Sequence, residues 1–172
     1  GLPVVIGGRR RRGEPVAAGT GEFERLADYT GRGVVTTATY AAREFGVHSG
    51  LGLMKAAKLC PQALLLPADF EEYRRYSRLF KAAVTAIAPR MEDRGIDEVY
   101  IDFDAVPDAL TGAAEHNLAL ATRMQRVVFA GTGLTCSIGV APNKFLAKIA
   151  SELNKPNGIT IIHRADLAAK IW

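Results

Sequence analysis

Apolar and polar positions change rhythm several times along this chain, and each change marks an expected element. Leu2-Pro3-Val4-Val5-Ile6 is rich in β-branched residues and predicts a strand, with Gly7-Gly8 turning out of it. Val34-Val35-Thr36-Thr37 predicts a second strand. Tyr40 to Phe45 favours a short helix that stops at Gly46. Leu53 to Leu59 predicts another, ended by Cys60-Pro61, and Ala63-Leu64-Leu65-Leu66 a brief strand. Phe70, Tyr73, Ser77, Phe80, Val84 and Ile87 recur at helical spacing up to about Pro89, with the aromatic stripe expected in the core. A second long helix is expected from Gly112 to Ala130, with Leu118, Ala121, Gln125 and Val128 on one side. Leu134, Cys136, Ile138 and Val140 alternate as a strand with one buried face. Asn143 suits the cap of a helix from Lys144 to about Leu153, and Asn154 to Gly158 is a stop and turn. Ile159 to Ile162 returns as a strand, and a last helical stretch is expected from Asp166.

Between the two long helices lies Gly95-Ile96-Asp97-Glu98-Val99-Tyr100-Ile101-Asp102. Val-Tyr-Ile is a strand former, and the charged run Arg90 to Arg94 upstream places Asp97 and Glu98 near the tip of a β-hairpin. In a regular strand these neighbours would face opposite ways, whereas at a turn both carboxylates can reach one divalent ion. Taken alone, an Asp-Glu pair in a turn is most often solvated surface.

After Pro67 the order is helix, hairpin, helix, strand, helix, strand. This is an α+β pattern that suits a ferredoxin-like sheet with helices on one face. Residues 1–67 are more polar and shorter in period, and form a separate small domain in this reading. Within it Tyr40 and Arg43 share a helix face, where a phenol and a planar guanidinium suit a phosphate or simply stack on the surface. Lys144 and Lys148 are one turn apart on their helix. His116 reads as a surface histidine. The stretch from Gly13 to Gly33 reads as a mobile excursion with one helical turn near Phe23 to Tyr29, and Arg9 to Arg12 as a solvated loop or a nucleic-acid contact.

Composition narrows the picture a little. The 172 residues carry a net charge of +4, which favours an anionic partner without identifying it. No apolar run approaches the roughly 20 residues that span a bilayer. Cys60 and Cys136 are far apart and lack metal-ligand spacing, which fits two reduced thiols in a cytoplasmic protein.

Three blocks in order resemble the Y-family (translesion) DNA polymerases, closest to the bacterial polymerase IV group. They are Val34–Gly46 (VVTTATYAAREFG), Gly95–Asp102 (GIDEVYID) and Cys136–Ile162 (CSIGVAPNKFLAKIASELNKPNGITII), with Ala56–Pro67 (AAKLCPQALLLP) similar too. The resemblance spans nearly the whole chain. It implies a small mixed α/β fingers domain over 1–67 and a ferredoxin-like polymerase palm over 68–172, the thumb beginning after about 163. It implies template-directed DNA synthesis past lesions, in which a primer 3′-hydroxyl attacks the α-phosphate of a deoxynucleoside triphosphate. Two Mg²⁺ ions about 3.5–4 Å apart would stabilise the attacking and leaving oxygens. Asp97 matches the carboxylate that bridges both ions and Glu98 the one beside the 3′-hydroxyl. Tyr40 and Arg43 match residues that hold the triphosphate, Lys148 its third clamp, and Thr37 a residue near the nucleotide. The implied partners are primer-template DNA and deoxynucleotides, with a sliding clamp a candidate through C-terminal parts outside this chain.

The departures matter as well. Gly95 stands where the family usually has Ser, and Thr39 where Asn or Ser is common. The connection from Gly8 to Gly33 is longer than the family's, so Arg9–Arg12 takes no role from it. The family's first palm strand, with another metal-binding Asp and the aromatic residue that excludes ribonucleotides, has no counterpart here. The chain is therefore expected to be a fingers and palm fragment, inactive in isolation. Two alternatives stand beside this reading: a non-catalytic relative serving as a DNA-repair scaffold, and a nucleotidyl cyclase or phosphohydrolase on a similar palm. The second would not need the Tyr40/Arg43 element.

Overall fold

A computed structural model describes residues 1–8, 23–106 and 114–166, and these fall into two compact units, Gly1–Phe70 and Glu71–Trp172. The Arg9–Arg12 run and the last helical stretch beyond Asp166 lie outside the described residues.

The first unit is organised on strand β1 (Val4–Gly7), the middle strand of three. It pairs antiparallel with β2 (Val35–Ala38) and parallel with β3 (Leu64–Leu66). Helices α1 (Tyr40–Arg43) and α2 (Leu53–Leu59) follow β2. Val5, Val35, Val47, Leu53 and Cys60 are almost completely buried together. Each such aliphatic side chain contributes about 1.5–3 kcal/mol relative to exposure.

Part of the expected excursion between Gly13 and Gly33 is not loose. A turn of 3₁₀ helix at Leu26–Asp28 drops Leu26 fully into this core. The Leu26 amide donates to the Ala63 carbonyl at 2.8 Å, and the Leu65 amide donates to the Glu24 carbonyl at 2.8 Å. With the Ala27 amide donating to the Pro61 carbonyl at 3.1 Å, one apolar side chain and three backbone hydrogen bonds hold this segment against the 61–65 stretch.

In the second unit, α3 (Phe70–Thr85) begins at the unit boundary and runs to the charged hairpin of β4 (Met91–Asp93) and β5 (Val99–Ile101). Then come α4 (Ala114–Thr132), β6 (Ile138–Val140), α5 (Lys144–Leu153) and β7 (Ile159–Ile161). The hairpin is antiparallel and β6–β7 is parallel. Among the described residues these are two separate strand pairs. Their inner side chains, Met91, Val99, Ile101 and Ile138, pack on Val84, Ile87, Met124 and Val128 from α3, its C-terminal turn and α4.

Three sequence expectations are corrected here. The stripe on α3 leaves the core at its first residue, where Phe70 is 55% exposed, whereas Ser77 and Val84 are buried and Tyr73 and Phe80 partly so. On α4 the buried face is Ala121, Met124 and Val128, and Leu118 is exposed. A single period cannot tell which turns of a long helix have a neighbour to cover them. The strand expected from Leu134 starts only at Ile138, because its hydrogen-bonding partner is the three-residue β7.

Helix α5 lies unusually close to β6. A Cβ built on Gly139 would meet the Ala147 carbonyl oxygen at 2.1 Å and the Ser151 amide nitrogen at 2.4 Å. Only glycine permits that approach, and it seats Ala150 at zero exposure.

Candidate active site

The hairpin register is Met91↔Ile101, Glu92↔Tyr100 and Asp93↔Val99, so residues 94–98 form the connection. Asp93 Oδ1 accepts the Gly95 amide at 3.0 Å, and the Arg94 amide donates to the Glu98 carbonyl at 3.1 Å. Gly95 takes φ +125°, a backbone region that side chains disfavour. The turn places Asp97 and Glu98 side by side, both exposed, at the tip expected from sequence. Glu98 precedes Tyr100 by two positions, so it shares a face with Tyr100 and with Glu92 opposite.

Helix α5 supplies the cations. Asn143 Oδ1 accepts the Leu146 amide at 2.9 Å and starts the helix, as a capping asparagine does. One turn apart, Lys144 pairs with Glu92 Oε2 and Lys148 with Glu98 Oε1. Lys148 also lies 3.2 Å from Glu152, and Arg94 lies 3.5 Å from Glu92. Around the rest of the hairpin, Lys81 pairs with Asp93 at 2.7 Å and Arg90 with Asp102 at 3.7 Å.

These contacts move the titrations. The hydrogen bond from Lys144 holds the Glu92 carboxyl below its ordinary value, and the one from Lys81 does the same for Asp93. The Glu98 hydrogen bond pushes Lys148 upward, keeping its ammonium charged.

Asp97 has no ion pair or hydrogen bond among the described residues. No group of three or more His, Cys, Asp or Glu converges as a metal site among them. The donor set at the tip is thus two adjacent carboxylates, oxygen only. That fits a hard divalent ion held through one or two carboxylates and completed by phosphate oxygens and water. It does not fit a closed all-protein cage.

The candidates of the first unit stand on and after β2. Arg43 Nε donates to the Ala38 carbonyl at 3.0 Å, and its guanidinium lies 5.1 Å from the centre of the Tyr40 ring. Both side chains face solvent. The preceding Thr39 hydroxyl accepts the Val4 amide at 3.0 Å and ties the start of α1 to β1. Thr37 is half-buried in β2, opposite Ile6. The sequence candidates are therefore brought together in two groups, Tyr40 with Arg43 and Asp97 with Glu98 and Lys148. Glu92 was not singled out from sequence, nor was Lys144 given a partner. The one available signal was the single-turn spacing of Lys144 and Lys148.

Comparison with known proteins bears on both groups. The model of the impB/mucB/samB family matches residues 1–152. A DNA polymerase IV of Methanoculleus marisnigri is 40% identical over 168 residues, 98% of this chain and 41% of that protein. DNA polymerase IV 1 of Halalkalibacterium halodurans is 40% identical over 141 residues, covering 82% of this chain and 33% of its own length. Among solved structures, the insertion ternary complex of Dbh DNA polymerase superposes with a TM-score of 0.77 at 29% identity, over 97% of this chain and 43% of that one. The chain thus spans about two fifths or less of these relatives' lengths. No helix among the described residues is long and apolar enough to cross a membrane.

Proposed function

The chain belongs to the impB/mucB/samB family, and from that premise we propose that it is the fingers and palm of a Y-family DNA polymerase that copies a template past lesions. Residues 1–67 are the fingers and 68–172 the palm in this reading. The reaction is attack of a primer 3′-hydroxyl on the α-phosphate of a deoxynucleotide, with pyrophosphate leaving. The observation that carries it is the exposed Asp97–Glu98 pair at a hairpin tip, with the Lys148 ammonium against Glu98.

Asp97 and Glu98 offer their oxygens to Mg²⁺, which when bound supplies positive charge to the attacking and leaving oxygens. The remaining work falls to side chains of this chain. Lys148 meets non-bridging phosphate oxygens with a fixed charge, as phosphoryl transfer requires. Arg43 spends its Nε on the Ala38 carbonyl, which sets the guanidinium plane and leaves the terminal nitrogens of the fork for phosphate. Tyr40 stacks beneath that guanidinium and adds its hydroxyl as a donor. Thr37 lines the nucleotide from β2. Primer-template DNA and deoxynucleoside triphosphates are the partners of this reading; the Dbh complex is described as an insertion ternary complex.

The test is primer extension by the full-length protein carrying this chain, parental against Asp97→Ala. Extension should fall by about 10²–10³ or more, the scale for losing one preorganised electrostatic partner. Asp97 is exposed, so the thermal midpoint should stay where it was. Near-normal extension by Asp97→Ala would remove the assignment.

A further inference from the structure

Two lysines of α5 reach two carboxylates of the hairpin, and only the Lys148–Glu98 pair has a place in the proposal above. Four residues of helix advance Lys148 about 6 Å beyond Lys144. Glu92 faces Tyr100 across the ladder and Glu98 stands two residues before it, which is about 6.8 Å along a strand. The two spacings match, so α5 lies along one face of the hairpin with Lys144 on Glu92 and Lys148 on Glu98. Tyr100 sits on that same face, its ring centre 5.9 Å from the Lys144 ammonium and 6.0 Å from the Arg94 guanidinium.

No strand ladder ties α5 or its sheet to the hairpin among the described residues. Helix α5 is seated on β6 through Gly139. Ile138 of β6 and Met91, Val99 and Ile101 of the hairpin share one apolar cluster, which brings α5 beside the hairpin and leaves the fine register to the ion pairs. A shift of one residue along α5 would turn Lys148 by about 100° and carry its ammonium off Glu98.

We infer that Lys144 and Glu92 are positioning residues for nucleotide binding: their pair sets the register of α5 on the hairpin and so holds Lys148 where phosphate oxygens meet it. This rests on the reading of Lys148 as a phosphate ligand. Both partners are exposed, and an exposed pair adds little to stability, so its effect belongs to geometry.

The experiment is steady-state single-nucleotide incorporation by the full-length protein, with thermal unfolding of every variant. Lys144→Gln and Glu92→Gln should each raise the KM for deoxynucleotide about two- to fivefold, the scale of an exposed ion pair. The thermal midpoint should move by no more than the loss of one exposed ion pair, and kcat should stay within about twofold, the pattern of lost uniform binding. The double variant should be no worse than either single one, and Lys144→Arg should keep the parental KM. Lys148→Gln is the reference. If it raises KM while Lys144→Gln and Glu92→Gln do not, the inference is overturned and the reading of Lys148 survives. Additive losses in the double variant, or a fall in midpoint beyond that of one exposed pair, overturn it as well. If Lys148→Gln itself leaves KM unchanged, the phosphate reading has failed and takes the inference with it.

Discussion

The two units of this chain balance burial and charge in opposite ways. Among the described residues of Gly1–Phe70 three strands share one sheet, and Val5, Leu26, Val47, Leu53 and Cys60 have no exposure at all. Its phosphate candidates, Tyr40 and Arg43, are carried on a single helical turn outside that core. Among the described residues of Glu71–Trp172 the strands come as two short pairs, and every residue of β5, β6 and β7 is only half-buried. Side-chain ion pairs ring the hairpin instead. Shape in the first unit comes from apolar packing. In the second, the packing of α3 and α4 gives shape, and the working surface is an arrangement of charges at the water interface. Such pairs are weak, about 0–1 kcal/mol each, and can exchange partners with an incoming anion or cation at small cost.

The contrast can be broken most sharply in the core. Leu53→Ala should cost about 3–5 kcal/mol in chemical unfolding, as for a fully buried leucine. Amide protection should fall in β1, β2 and β3. A loss under about 1 kcal/mol would mean that this core repacks easily and the contrast is overdrawn. Next in size is Gly139→Ala, where the added methyl meets backbone of α5 that cannot yield. About 3 kcal/mol is expected, the upper end for an overpacked site. An unaltered unfolding midpoint would show that the close approach of α5 and β6 is not needed.

Smaller effects probe the charged surface. Lys148→Ala and Arg43→Ala should each weaken nucleotide binding by about 1.5–3 kcal/mol, as for a hydrogen bond to a charged group, with unfolding unaffected. Equal nucleotide titrations for variants and parent would leave these side chains without that role. The smallest effect is on acid stability. Lys144 and Lys81 depress the Glu92 and Asp93 carboxyls below 4.5 and 3.8. Their contribution is therefore present above those values and fades as pH falls through the lower folded ones. Glu92→Gln should show a shallower loss of stability on acidification than the parent, followed by circular dichroism across the acid range. An identical acid limb would mean that the Lys144 contact does not favour the folded state.

What was legible in the sequence was local. Gly95 before Asp-Glu and Val-Tyr-Ile encodes a turn followed by a strand, and the hairpin follows from those residues alone. Asn143 reads as a helix cap because its partner, the Leu146 amide, is three residues away. Tyr40 and Arg43 read as neighbours because helix geometry makes them so. The parallel pairing of β1 with β3 was not legible, since nothing in Val4-Val5-Ile6 names Leu64-Leu65-Leu66 as its partner. The helical turn at Leu26 was legible, but its burial was not, because one leucine among polar residues has no period. Phe70 and Leu118 fit the helical stripes, yet both side chains are about half exposed. Glu92 and Lys144 were invisible for the same reason, since 52 residues separate them and only the folded register brings them together.

The central position of β1 also has a consequence in time. The strand that the first sheet is built around is made first, while the residues it pairs with at Leu64 to Leu66 are made about sixty residues later. At ribosomal speeds of about 5–20 residues per second, Val4, Val5 and Ile6 wait roughly 3–12 seconds for that partner. For that interval one hydrogen-bonding edge of an apolar strand stays open on the nascent chain, since β2 covers only the other. In the growing polypeptide the best-buried strand of the first unit is thus its most vulnerable segment, and its second edge comes under protection only when β3 arrives.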